Sequence, residues 1–183
     1  NDTFGEREAM FFAKNNQAIT LAKEDAKNAA SDDQIDLGYL SLSVATTTSA
    51  TFYVRAWLAS GYVVQTRSDP PKNAGYTMNA LTSQTASSAG TEQFGINLVA
   101  NTSPTAFGAN PQQSPDNTYS FGQASTGYNT TNVYKYVKDD IIAHSDKSTS
   151  ITIYTVSYLF NISAITPAGQ FSFTHDLVVT GTY

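Results

Sequence analysis

From Tyr154 the chain alternates: Tyr154, Val156, Tyr158, Phe160 and Ile162 are apolar, with Thr155, Ser157 and Asn161 between them. Residues two apart share one side of a strand, so this run predicts a strand with a single buried face. Phe171, Phe173, Leu177, Val179 and Tyr183 repeat the pattern, interleaved with Ser172, Thr174, Asp176, Thr180 and Thr182. Between the runs lies Thr166-Pro167-Ala168-Gly169, proline second and glycine fourth, which suits a type I turn. The two runs are therefore expected to pair as an antiparallel hairpin. A lone hairpin is barely stable in water, so its apolar face must meet another sheet. The fold this predicts is all-β: an antiparallel β-sandwich, jelly-roll or Ig-like, carrying an N-terminal extension.

The remainder of the chain supports that class. It has 183 residues, room for one sizeable domain, and only 14% of them are charged. Thr, Ser, Asn and Tyr take the place of charge, and β-branched and aromatic side chains suit a pleated surface. A net charge of -5 leaves no basic patch to neutralise phosphates, which argues against nucleic acid and against anionic membrane surfaces. With no cysteine there is no disulfide framework, thiolate metal site or cysteine nucleophile. No apolar run approaches the ~20 residues needed to span a bilayer, so no membrane span is expected. Residue 1 is Asn, which reads as a processed N-terminus compatible with export.

Charge is spread unevenly. Of 15 acidic and 10 basic side chains, eleven lie before Gln34, which sets residues 1–34 apart from a sandwich domain over residues 35–183. Within the extension, Glu8–Ala13 (EAMFFA) and Ala18–Ala22 (AITLA) are apolar. Leu21–Ala30 favours a short helix capped by Thr20, and the two patches read equally well as extended strands. From Ile35 the texture is β throughout. Ile35, Leu37, Tyr39 and Leu42 form a first expected strand; Ala50, Phe52, Val54, Ala56 and Leu58 alternate along a second. Ser60-Gly61 then signals a hairpin into Tyr62–Gln65. Asp69–Asn73 reads as a loop, and Tyr76–Leu81, Phe94–Leu98 and Val133–Val137 as further strands. The Pro-, Gly- and Asn-rich stretch from Asn101 to Gly127 is a long loop, expected to be functional or self-packed.

Candidates for chemistry are few. His175 shares an apolar face with Phe173 and Leu177 and reads as a packed core histidine, with Asp176 turned away from it. No Gly-x-Ser-x-Gly elbow is present. The expectation is therefore no catalytic residue, no cofactor and no enzyme. Asp139, Asp140 and Asp146 form a possible calcium loop, but a solvated acidic turn is the simpler reading, so no metal ligand is assigned. Trp57, in register with Tyr53 and Arg55, is either a sugar platform or core, and core is favoured. Lys135 reads as an edge-strand lysine that discourages aggregation, the other option being an isopeptide-forming lysine as in Gram-positive pilins. Acceptor triplets at Asn1, Asn101, Asn129 and Asn161 occur at the frequency chance allows in so Asn- and Thr-rich a chain. The remaining candidates are Met10, Phe11, Phe12, Ile19 and Leu21. Left wet they would form an exposed apolar patch, so they must be buried, on their own sandwich or in a second copy.

Asp36-Leu37-Gly38, Ala50-Thr51-Phe52, Gly61-Tyr62-Val63-Val64, the run Gly90–Asn101 (GTEQFGINLVAN) and the end pieces Tyr154–Tyr158, Asn161–Ser163 and Thr166–Gly169 together form a pattern. It resembles predicted secreted surface proteins of Patescibacteria-type bacteria over about residues 36–183. More distantly it is similar to WxL-like and TasA-like exported β-sandwich proteins. The resemblance implies an extracellular, cell-surface location and no catalytic residues. The distant likeness also implies polymerisation, one subunit's strand completing the next. The sequence-based expectation is a secreted structural protein, a homopolymer linked through its N-terminal segment. The alternative is a monomeric adhesin or carbohydrate-binding module for surface glycans.

Overall fold

The computed structural model describes residues 18–21, 34–57, 59–114 and 121–182. Met10, Phe11, Phe12 and nearly all of Leu21–Ala30 lie outside them. Fifteen strands follow in chain order: β1 (Ala18–Leu21), β2 (Gln34–Asp36), β3 (Thr46–Ala56), β4 (Gly61–Thr66), β5 (Lys72–Asn73), β6 (Tyr76–Thr77), β7 (Thr85–Ala86), β8 (Gln93–Asn97), β9 (Gln112–Ser114), β10 (Gln123–Ala124), β11 (Val133–Tyr134), β12 (Ile141–Ser145), β13 (Thr149–Asn161), β14 (Phe171–Thr174) and β15 (Leu177–Thr182). No helix occurs among the described residues. The fold is the expected all-β class, a β-sandwich.

The spine is β13, thirteen residues long. It pairs with β3 along one edge and with β8 and then β9 along the other. A second sheet runs β10-β12-β4-β15, and a third runs β2-β1-β14-β5-β6. The period-two reading of the faces holds along β3 and the first half of β13, but from Val156 to Asn161 both faces of β13 are buried, which corrects the single buried face expected there. Phe52, Val54 and Ala56 of β3 and Tyr154, Val156, Tyr158 and Phe160 of β13 are all buried in one core. Across the sandwich they meet Tyr62 and Val64 of β4, Ile142 of β12, and Phe171 and Phe173 of β14. Tyr62 and Tyr154 touch hydroxyl to hydroxyl at 2.7 Å, and Phe94 of β8 lies 4.9 Å from Phe173 by ring centroids.

Strand partners differ from expectation in three places. Both edges of β13 are occupied, so the chain after Asn161 leaves its sheet and no hairpin forms with the last run. That run breaks at His175-Asp176 into β14, which pairs with β1 and β5, and β15, which pairs with β4. Alternation fixes which face a strand buries and says nothing about its neighbour.

Similarly, Ser60-Gly61 joins strands of different sheets, β3 to β4. Gly61 is needed for a different reason: a Cβ there would collide with the backbone carbonyl of Ser145 on β12. Gly61→Ala should therefore push β12 off β4 and lower the urea midpoint, by the ~1–3 kcal/mol typical of overpacking.

Third, the strand expected over Ile35–Leu42 ends at Asp36. Its Oδ1 accepts the Gly38 N–H at 2.8 Å, and Gly38 turns the chain with φ +63°. Such a turn satisfies the backbone locally and ends the ladder. Tyr39 and Leu42 are left exposed.

Where described, the Asn101–Gly127 stretch, expected as a loop, is tied to the sandwich, supplying β9 to β13 and β10 to β12. Asn101 and Asn97 exchange amide hydrogen bonds at 2.7 and 2.9 Å, and Phe107 stacks on Tyr134 at 6.1 Å.

Candidate interaction surface

The feature of the sandwich that invites a partner is an edge. β3 pairs with β13 on one side, and among the described residues nothing pairs with its other side. It is eleven residues long, on the order of 37 Å at a strand's rise per residue. The ends of the other sheets, β2, β6, β10 and β15, are two to six residues long. Natural edges are usually blunted by proline, lysine, bulges or shortness. The sequence of β3, TTTSATFYVRA, has Arg55 as its one charge and no proline. Thr and aromatic side chains make it a good strand, and its outward-facing N–H and C=O groups meet no strand among the described residues.

Next to this edge the outer face of the same sheet carries Tyr53, Arg55 and Trp57. Trp57 is 52% exposed, so the expectation that it is core is overturned. The inward register is filled by Phe52, Val54 and Ala56, which leaves the odd-numbered positions outside. Ile153 lies opposite Tyr53 on β13 and is half-buried, extending a mixed apolar and aromatic face.

At the Thr46 end of β3 lies a groove of about 250 Å³ between the Gly38–Leu42 segment and the Ile162–Phe171 connection. Tyr39, Leu40, Leu42, Ile162 and Phe171 line it, and none of its lining among the described residues is charged. The connection is held by Glu92, 9% exposed. Its carboxylate accepts from the Tyr76 hydroxyl at 2.9 and 3.0 Å, from the Asn79 N–H at 2.9 Å and from the Thr166 hydroxyl. Thr166 Oγ1 in turn accepts the Ser163 N–H at 3.0 Å. Neutral donors satisfy the buried acid, so the groove wall is fixed.

The titratable candidates are structural. His175 is 4% exposed, Tyr158 OH lies 2.7 Å from its Nδ1, and Thr66 Oγ1 lies 2.8 Å from its Nε2. Thr66 donates to the Tyr136 hydroxyl at 3.0 Å, and Tyr136 donates to the Ser68 carbonyl at 2.8 Å. That carbonyl accepts only, which assigns every proton: Tyr158 donates to Nδ1, and Nε2–H donates to Thr66. Burial holds the imidazole pKa down at about 3 and pushes the Tyr136 phenol up to about 12. This chain of hydroxyls is sealed in the core. It is the packed core histidine expected, and Asp176 is exposed beside it.

Asp139 and Asp140 diverge, the former to Arg67 at 3.2 Å and the latter to Lys135 at 2.6 Å. Asp140 also accepts from the Tyr128 hydroxyl at 2.9 Å. Among the described residues no three metal-ligating side chains converge. Lys135 is thus a partly buried ion-pair partner, its ammonium 5.2 Å from the Tyr128 ring centre. Of the acceptor triplets, Asn101 and Asn161 are buried and only Asn129 among the described ones is exposed.

The five contact candidates divide. Met10, Phe11 and Phe12 lie outside the described residues. The backbones of Ile19 and Leu21 belong to β1, in register with Phe173 and Phe171 of the same chain's β14. The groove and the open edge were missed by sequence reasoning. The apolar residues Tyr39, Leu42 and Val44 just before β3 were the available signal for the groove, and the edge left none. No family model, curated protein or solved structure matches this chain.

Proposed function

We propose that the protein is an extracellular structural subunit that polymerises by strand addition, the N-terminal segment of one copy pairing with β3 of the next. The open eleven-residue edge carries this reading. Main-chain hydrogen bonds along such an edge supply affinity, and alternate side chains supply specificity. A head-to-tail contact of this kind does not close on itself and so builds a fibre. Because Ala18–Leu21 pairs within its own subunit, the donor is the part before Ala18, which carries Met10, Phe11 and Phe12.

Deleting residues 1–17 should leave a monomer with an unchanged melting transition and no filaments in negative-stain micrographs. Ser49→Lys with Thr51→Lys, both exposed on β3, should block assembly equally while the fold persists. Filaments formed by either variant would refute the reading. The exposure of Trp57 favours one second reading, a glycan-binding face of Tyr53, Arg55 and Trp57. It predicts glycan-array binding by a monomer, lost in Trp57→Ala.

A further inference from the structure

We infer that the groove at the Thr46 end of β3 seats the Met10–Phe12 run of a second copy; this rests on the strand-addition reading and names its anchor. Exposed large apolar side chains are concentrated here. Tyr39 and Leu42 line the groove, Val44 lies two residues beyond, and Ile165, 90% exposed, sits between lining residues Ala164 and Thr166. At about 250 Å³ the groove is smaller than the roughly 300–1,000 Å³ of small-molecule sites and suits a few side chains. Its described lining carries no charge, and the apolar run Ala9–Ala13 has its charges at the flanks, Glu8 and Lys14. Seated there, the run leaves both charges at the rim, where burial does not penalise them.

On the strand-addition reading the occupant is a second copy, because the segment before Ala18 pairs with β3 of the next subunit. β1 enters its sheet opposite Thr174 and runs to Leu21 opposite Phe171, the end that borders the groove. Both edges of β1 are taken, by β14 and β2, so β1 offers no pairing to a further segment. For a neighbour the groove is continuous with the open edge, because Leu42 and Val44 lead directly into Thr46 and Ile162 follows the β13 residues paired there. With Met10–Phe12 anchored, nine residues before Met10 remain to pair along most of the eleven-residue β3.

The test uses the full chain with the photoreactive p-benzoylphenylalanine in place of Phe12, assembled from a mixture of ¹⁴N- and ¹⁵N-labelled copies. Cross-links between differently labelled copies should map to residues 39–44 or 162–171. In the unmodified background, Leu42→Asp, an exposed position, should raise the critical concentration about tenfold with the melting transition unchanged. Inter-copy cross-links confined to residues 46–56 would overturn the groove and leave strand addition standing. Cross-links found only within single chains would overturn the second-copy assignment. A wild-type chain that stays monomeric at every concentration would overturn both.

Discussion

Phe94→Ala is expected to cost about 3–5 kcal/mol, the usual range for truncating a buried phenylalanine. Phe94 is fully buried on β8, and its ring centre lies 4.7 Å from Tyr136, 5.3 Å from Phe160 and 4.9 Å from Phe173. These neighbours come from three elements: β13, β14 and the segment after β11. The void cannot close by moving one side chain, since each neighbour is held elsewhere. Tyr136 donates to Ser68, and the Phe160 backbone is paired to both β3 and β8. Against a typical total of about 5–15 kcal/mol, this loss should bring the denaturant midpoint close to zero. Phe94→Leu should recover much of it. A loss of stability below about 1 kcal/mol for the alanine variant would show that the sheets are not joined through this ring.

Acid should weaken the fold earlier than carboxylate titration alone would. His175 is neutral in the folded protein, with its pKa held near 3 against 6.5 when unfolded. Between those values the unfolded chain binds a proton that the folded chain refuses. The stability this group confers is therefore intact above about pH 6.5 and lost as pH falls toward 3, on the order of 1.4 kcal/mol per pH unit. Protonation would also leave Nδ1 with a hydrogen and Tyr158 without its acceptor. Urea midpoints measured between pH 7 and pH 4 should fall steadily, and His175→Gln should flatten that slope at the cost of lower stability at pH 7. The exposed Asp69, held at about 2 by Lys138 and Lys72, titrates below this window. An identical slope in the glutamine variant would rule His175 out.

What could be read from residue order was local. Alternation placed Phe52, Val54, Tyr154, Val156, Tyr158 and Phe160 in the core because side-chain direction along a strand depends only on the strand. It also placed His175 there correctly. Pairing is non-local, and the expected hairpin failed because β3, β8 and β9 had already filled the edges of β13. Gly61 was visible as a glycine, but its purpose, clearance for Ser145, belongs to a strand some eighty residues away. Trp57 was misjudged because both faces of its strand carry bulky side chains, and only the opposing sheet decides which face is inside. The open edge of β3 had no signature of its own, since an edge is defined by the absence of a neighbour.

The seat of β1 between β2 and β14 also bears on how a fibre of these subunits would grow. Its third sheet is finished by its own chain, so an incoming copy repairs no gap in the receiver. Growth of that kind would draw on a pool of intact building blocks and would be reversible. Dilution should return working monomers, and no escort is needed to shield an incomplete sheet before it joins.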